Sequence, residues 1–187
     1  MPTFGDARAR VAIVGLAPGL RGANRTGRPF TGDFAGDLLY ATLLENGFAE
    51  GAYERRADDS LRLIDCAIVN SVRCVPPQNK PTPLEIATCR RYLAATLAAL
   101  GDLRIVVALG RVAHESLLRR YGLRLAQFAF AHGAVHRPGR GFPILVDSYH
   151  CSRYNTNTGV LTPTMFRAVF ACVRDLLEDK TAPSPAR

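Results

Sequence analysis

Four short apolar runs, each followed by a glycine-, proline- or asparagine-rich loop or a helix start, constrain the fold of this chain more than any other feature. They lie at Val11–Leu16, Asp65–Asn70, Arg104–Leu109 and Pro143–Asp147. The third is aliphatic at every position after its arginine, as a strand covered on both faces of a parallel sheet must be. Between the runs the spacing turns helical. Leu38, Leu39 and Leu43 share one side of Gly36–Leu44, and Gly47 is placed to cap its end. Thr82-Pro83-Leu84-Glu85 has the form of a capping box with proline in the first turn. The helix it opens carries Leu84, Tyr92, Leu93, Leu97 and Leu100 and stops at Gly101. Another opens at Gly110 and ends near Gly122. Thr162-Pro163 starts the last, whose apolar stripe is Met165, Phe166, Val169, Phe170, Val173 and Leu176. Strand–helix alternation of this kind predicts an α/β fold: a three-layer α/β/α sandwich on a mainly parallel four-stranded sheet. One domain is expected over residues 1–180, with a flexible tail at 181–187.

In such folds ligands bind outside the carboxyl ends of the strands. Three unusual loops leave those ends: GLAPGLRGANRTGRPFTGD, SVRCVPPQNKP and SYHCSRYNTNTG. None holds the glycine–lysine pattern of a P-loop, the G-x-G-x-x-G of a dinucleotide fold, a G-x-S-x-G elbow or a zinc-deaminase signature. The formal net charge is +8, and only Lys80 and Lys180 of the 24 basic residues are lysines. Arginine forks match phosphate geometry, so the surplus favours an anionic partner. No apolar run reaches the ~18–20 residues that cross a bilayer, and no membrane role is expected. The first residues lack a secretory h-region, and five cysteines are an odd number for a disulfide framework. A cytoplasmic, nucleoid-associated protein follows as the expectation.

Taken together the loops resemble the signatures of the uracil-DNA glycosylase superfamily, most closely its family 5 (type b) branch. The first signature is Gly15-Leu16-Ala17-Pro18-Gly19 continuing to Asn24-Arg25-Thr26-Gly27-Arg28-Pro29-Phe30-Thr31-Gly32-Asp33. The second is Tyr149-His150-Cys151-Ser152-Arg153-Tyr154-Asn155-Thr156 with Thr158-Gly159 and Leu161-Thr162. Between them lie Arg73-Cys74-Val75-Pro76-Pro77 and Asn79-Lys80-Pro81-Thr82-Pro83. The likeness spans almost the whole chain in order and spacing. It implies a uracil-DNA glycosylase-like fold, a monofunctional glycosylase acting as a monomer on DNA, and a pocket that takes uracil and related damaged bases.

The resemblance also implies roles. Gly15, Leu16, Ala17, Phe30 and Asn70 would bind the extruded base, with Phe30 stacking and Asn70 reading its polar edge. His150 would donate to uracil O2 as negative charge develops there, and Asn155 would support that site or position the water. Several superfamily branches carry an acidic or amide group where this chain has Ala17, which leaves Asp33 to orient or activate water. Plainer readings stand beside these: Phe30 as a buried loop anchor, Asp33 as the cap of the helix after it, Asn70 as a turn residue. Arg25, Arg28, Lys80 and Arg153 would hold phosphates, and Tyr154 or Arg153 would fill the gap left in the duplex. Family members carry a four-iron four-sulfur cluster on four cysteines. Cys74 and Cys89 match the downstream two, but no pair precedes the first strand. The expectation is a start that omits them or a cluster that has been lost, since two thiolates cannot supply four ligands. No other cofactor is expected. Ala17 and the missing cysteines also leave open a non-catalytic, damage-sensing protein on the same fold.

Overall fold

A computed structural model describes residues 1–139 and 141–179. The tail expected at 181–187 lies outside them. Along the chain run β1 (Phe4–Gly5), β2 (Val11–Gly15), α1 (Ala23–Thr26), α2 (Phe34–Glu45), β3 (Ala49–Glu50), β4 (Arg62–Leu63), β5 (Cys66–Asn70), α3 (Pro83–Ala99), β6 (Ile105–Leu109), α4 (Arg111–Arg120), β7 (Val135–His136), β8 (Ile144–Ser148), α5 (Arg153–Asn157) and α6 (Pro163–Glu178). The main sheet has the order β1-β5-β2-β6-β8-β7. Its four inner strands are parallel, with Val11 opposite both Cys66 and Ile105, and Ile105 opposite Ile144. The expected four-stranded parallel sheet is therefore the centre of a six-stranded one. The added edges, β1 and β7, are antiparallel and two residues long.

Alternation along the strands builds two cores. Val11, Ile13, Cys66, Ile68, Ile105 and Val107 face Leu39, Tyr40 and Leu43 of α2 and Phe166, Val169 and Phe170 of α6. Ala12, Val14, Ala67, Val106 and Ala108 face Leu93 and Leu97 of α3 and Ala113, Leu117 and Leu118 of α4. This is the three-layer arrangement that fully apolar strands require, because both faces must be covered. The capping box forms as expected, with Thr82 accepting from Glu85 N at 3.2 Å and Glu85 accepting from Thr82 N. Thr162 likewise caps α6 through Met165 N. The stripe of α6 closes on buried Leu177, with Leu176 only partly buried. The face of α3 is narrower than its spacing suggested: Leu84 and Tyr92 are exposed, leaving Leu93 and Leu97 to do the packing.

The connection out of β2 passes over one face through α2, and that out of β6 passes over the other through α4. The crevice between the ends of β2 and β6 is thus the topological switch point, where α/β sheets place ligands.

Candidate active site

A cavity of about 500 Å³ opens at that crevice. Each loop singled out in the sequence contributes to it: Leu16, Ala17, Phe30 and Asp33 from the first, Asn79 from the second and His150 from the third, joined by Asn70 at the end of β5. A further wall comes from Gly110, Arg111 and Val112, where β6 passes into α4.

Phe30 is buried and has a φ of 58°, a left-handed conformation rare for an aromatic residue. The neighbouring chain enforces it. Tyr40 Oη donates to Pro29 O, Tyr53 Oη donates to Phe30 O, and Arg28 is anchored beneath the loop. Gly15 makes the approach of Phe30 to β2 possible. A Cβ at Gly15 would lie 2.7 Å from Phe30 Cζ and 2.6 Å from Asn70 Oδ1, closer than packed atoms tolerate. Gly15 acts beneath the cavity, whereas Leu16 and Ala17 line it. Asn70 is buried, and its Oδ1 has no hydrogen-bond partner among the described residues. A buried carbonyl without a donor costs ~1–3 kcal/mol, so this atom stands as an open acceptor on the cavity wall.

Asp33 stands at the N-cap position of α2, but its side chain makes no capping bond there. The carboxylate turns back to α1 and accepts from Ala23 N at 3.5 Å, in space that only glycine at 19 and 22 leaves open. Burial raises its pKa, against the lowering effect of the Ala23 N–H and Arg25. It also lines the cavity. His150 stacks on Phe30, with ring centroids 5.9 Å apart and planes 28° from parallel. Desolvation lowers the His150 pKa to about 4, and no charged neighbour offsets it. The imidazole is therefore neutral at pH 7 and can donate one N–H. Asn155 does not line the cavity; its Nδ2 donates to His150 O at 2.8 Å. It is placed to hold the His150 backbone, the supporting one of its two expected roles.

Arg25, Lys80, Arg153 and Tyr154 are exposed around the mouth or on the adjoining loops. Arg153 lies over the Phe34 ring at 5.1 Å and lines the cavity, and Tyr154 is 74% exposed. Arg28 is different. It is 4% exposed and binds Asp59 through two nitrogens at 2.7 and 2.8 Å, with Nε on Thr31 Oγ1. A guanidinium enclosed and paired with Asp59 in this way is turned inward, away from any phosphate, so the DNA contact expected of Arg28 is withdrawn. Arg111 was missed by the sequence reading. It lies over the Phe130 ring at 5.3 Å at the cavity wall, and its position just after a parallel strand was the signal available.

The cysteines do not fit a four-thiolate cluster. Cys66 and Cys151 are buried in the core, Cys74 is exposed, and Cys89 and Cys172 are half-buried on α3 and α6. Among the described residues no grouping of three metal-ligand side chains includes a cysteine. Nothing in the chemistry of this cavity is assigned to such a group.

The chain matches the family model described as the uracil DNA glycosylase superfamily over residues 2–174. It is 49% identical over 169 residues to a type-5 uracil-DNA glycosylase of Thermus thermophilus, covering 90% of this chain and 76% of the relative. It is 44% identical over 172 residues to the type-5 uracil-DNA glycosylase of Mycobacterium bovis, covering 91% and 64% respectively. A type-4 uracil-DNA glycosylase of Archaeoglobus fulgidus is 33% identical over 141 residues, 75% of this chain and 63% of that protein.

Proposed function

Since the chain belongs to the uracil DNA glycosylase superfamily, we propose that it removes uracil from DNA by hydrolysing the N-glycosidic bond, leaving an abasic site. The observation that carries the chemistry is the unpartnered, buried Asn70 Oδ1 in a cavity shared with Phe30 and His150. A base inside a duplex cannot reach such a cavity, so the nucleotide must first be extruded. The exposed Arg25, Lys80 and Arg153 take phosphates, and Tyr154 fills the vacated stack.

Uracil entering the cavity lies against the Phe30 ring. Its N3–H meets Asn70 Oδ1, and its O4 accepts from the same side-chain amide. Cleavage sends the C1′–N1 electron pair into the ring and leaves oxocarbenium character on the sugar. Neutral His150 donates to O2, where the negative charge gathers, without adding a competing cation. Asp33 accepts a proton from the water that adds to C1′. A cavity of about 500 Å³ behind small Ala17 also supports acceptance of bases larger than uracil, hypoxanthine and modified uracils among them.

The test is Asn70→Leu, which keeps the branched heavy-atom outline of the side chain without a polar atom. Single-turnover excision of uracil should fall about a hundredfold or more, because a site built to pair a polar edge rejects what it cannot pair. Unchanged excision by a folded Asn70→Leu protein would remove Asn70 from base recognition.

A further inference from the structure

Away from the cavity, three ionisable side chains meet where α4, β7 and β8 come together. His114 Nδ1 lies 2.8 Å from Asp147 Oδ1, and His136 Nε2 lies 2.9 Å from Asp147 Oδ2. His114 Nε2 lies 2.9 Å from Phe128 O. The Asp147 side chain is fully enclosed, that of His114 is 2% exposed and that of His136 is 13% exposed. Two histidines and a carboxylate suggest a metal site, but the separations argue otherwise. Ligand atoms around a tetrahedral zinc at ~2.0–2.1 Å would stand ~3.3 Å apart, whereas these contacts have the length of charge-assisted hydrogen bonds.

The hydrogens of this cluster can be counted. A backbone carbonyl only accepts, so His114 Nε2 carries a hydrogen. An ionised carboxylate also only accepts, so the contact between His114 Nδ1 and Asp147 requires one proton more than a neutral histidine supplies. That proton lies in the contact between the two side chains. The cluster is then a buried pair of His114 and Asp147 sharing one proton, with His136 Nε2 on the second Asp147 oxygen.

Asp147 lies on β8 three residues before His150. Its own backbone is clasped by the segment that leads into β7, through Gly133 N to Asp147 O at 2.8 Å and Asp147 N to Ala134 O at 2.9 Å. The same segment reaches the following residues. Tyr149 N donates to His132 Nδ1 at 3.1 Å, and the His132 and Tyr149 rings stack at 5.0 Å. Phe130 lies between Arg111 and Tyr149 in this assembly, 5.3 Å from the Arg111 guanidinium and 6.1 Å from the Tyr149 ring.

We propose that the His114–Asp147–His136 cluster is a positioning device for the active site, fixing the 128–136 segment on β8 and through it the Tyr149–His150 backbone. Neither histidine touches substrate. The pair acts by keeping His150 facing Phe30 and keeping Arg111 at the cavity wall. The proposal rests on the assignment of His150 to the glycosylase reaction.

Two variants and a spectrum test it. Asp147→Ala leaves both histidines without their acceptor, and single-turnover uracil excision should fall about tenfold to a hundredfold with KM near the native value. Asp147→Asn restores the count, because its Nδ2–H can serve a neutral His114 Nδ1 and its Oδ1 can accept from His136; excision should stay near native. The chain has only four histidines, so long-range proton–nitrogen spectra of nitrogen-15-labelled protein resolve each ring. His114 Nε2 should be protonated in both the native protein and Asp147→Asn, because each keeps the Phe128 carbonyl as its acceptor. The His150 signals should move in Asp147→Ala and not in Asp147→Asn. If Asp147→Ala fails to fold, His136→Ala, at the half-buried end of the cluster, replaces it with the same expected direction. Unmoved His150 signals with full excision in Asp147→Ala would overturn the proposal. If the native protein releases no uracil, the reading of the reaction fails, and the His150 signals then decide the positioning claim alone.

Discussion

Two side chains in the cavity carry opposite electrostatic biases. Burial disfavours the cation of His150 and the anion of Asp33, because each charged form loses water that the cavity wall does not replace. For His150 the outcome is a neutral donor at pH 7. For Asp33 it is a more basic carboxylate than an exposed one, which suits proton acceptance from water. A carboxylate whose folded pKa is raised destabilises the folded state at pH values above it. Asp33→Asn should therefore raise Tm at pH 7, with the gain shrinking as pH falls until Asp33 itself is protonated in both states. The same variant should lose most of the excision rate. In the native protein the rate should rise with pH through the raised Asp33 pKa and then level off. In Asp33→Asn that limb should vanish, leaving the break near pH 4 set by His150. Parallel melting curves and single-turnover pH profiles check both signs. Equal Tm values with an unchanged profile would place Asp33 in the plainer role of a loop residue.

At the scale of elements, the strand–helix alternation made the parallel centre of the sheet and its covering helices legible, because aliphatic strands and capped helices each leave a periodic trace. The edges β1 and β7 leave none, since two residues carry no period. The cavity was legible through its loops, and Phe30, Asp33, Asn70 and His150 all line it. Arg28 was not, because its partner Asp59 lies 31 residues away and no local pattern joins them. The pair is a long-range clasp that holds the loop carrying Phe30. Hydrogen bonds from Arg28 lower the Asp59 pKa to about 2, and both side chains are almost wholly enclosed. Arg28→Met should cost about 3–5 kcal/mol of stability by stranding the Asp59 charge, read as a fall in denaturation midpoint. Arg28→Met combined with Asp59→Leu should recover much of that loss. Weakened DNA binding by Arg28→Met with an unaltered midpoint would instead return Arg28 to the phosphate contacts.

Over the whole molecule, one sheet edge gathers the chemistry. The carboxyl ends of β2, β5, β6 and β8 bring a stacking ring, an unpaired amide oxygen, a neutral imidazole and a desolvated carboxylate around one cavity. The basic surplus of +8 suits a polyanionic substrate, with the exposed Arg25, Lys80 and Arg153 proposed to dock it. Among the described residues the cysteines offer no four-thiolate donor set for the iron–sulfur cluster implied by resemblance. The most direct measurement incubates the purified protein with an end-labelled oligonucleotide holding a single uracil, then treats it with alkali. A strand break at the uracil position, absent from the thymine control and lost in His150→Ala, is the predicted result. An intact strand despite demonstrated binding of the same oligonucleotide would contradict a glycosylase and point to a protein that recognises damage without removing it.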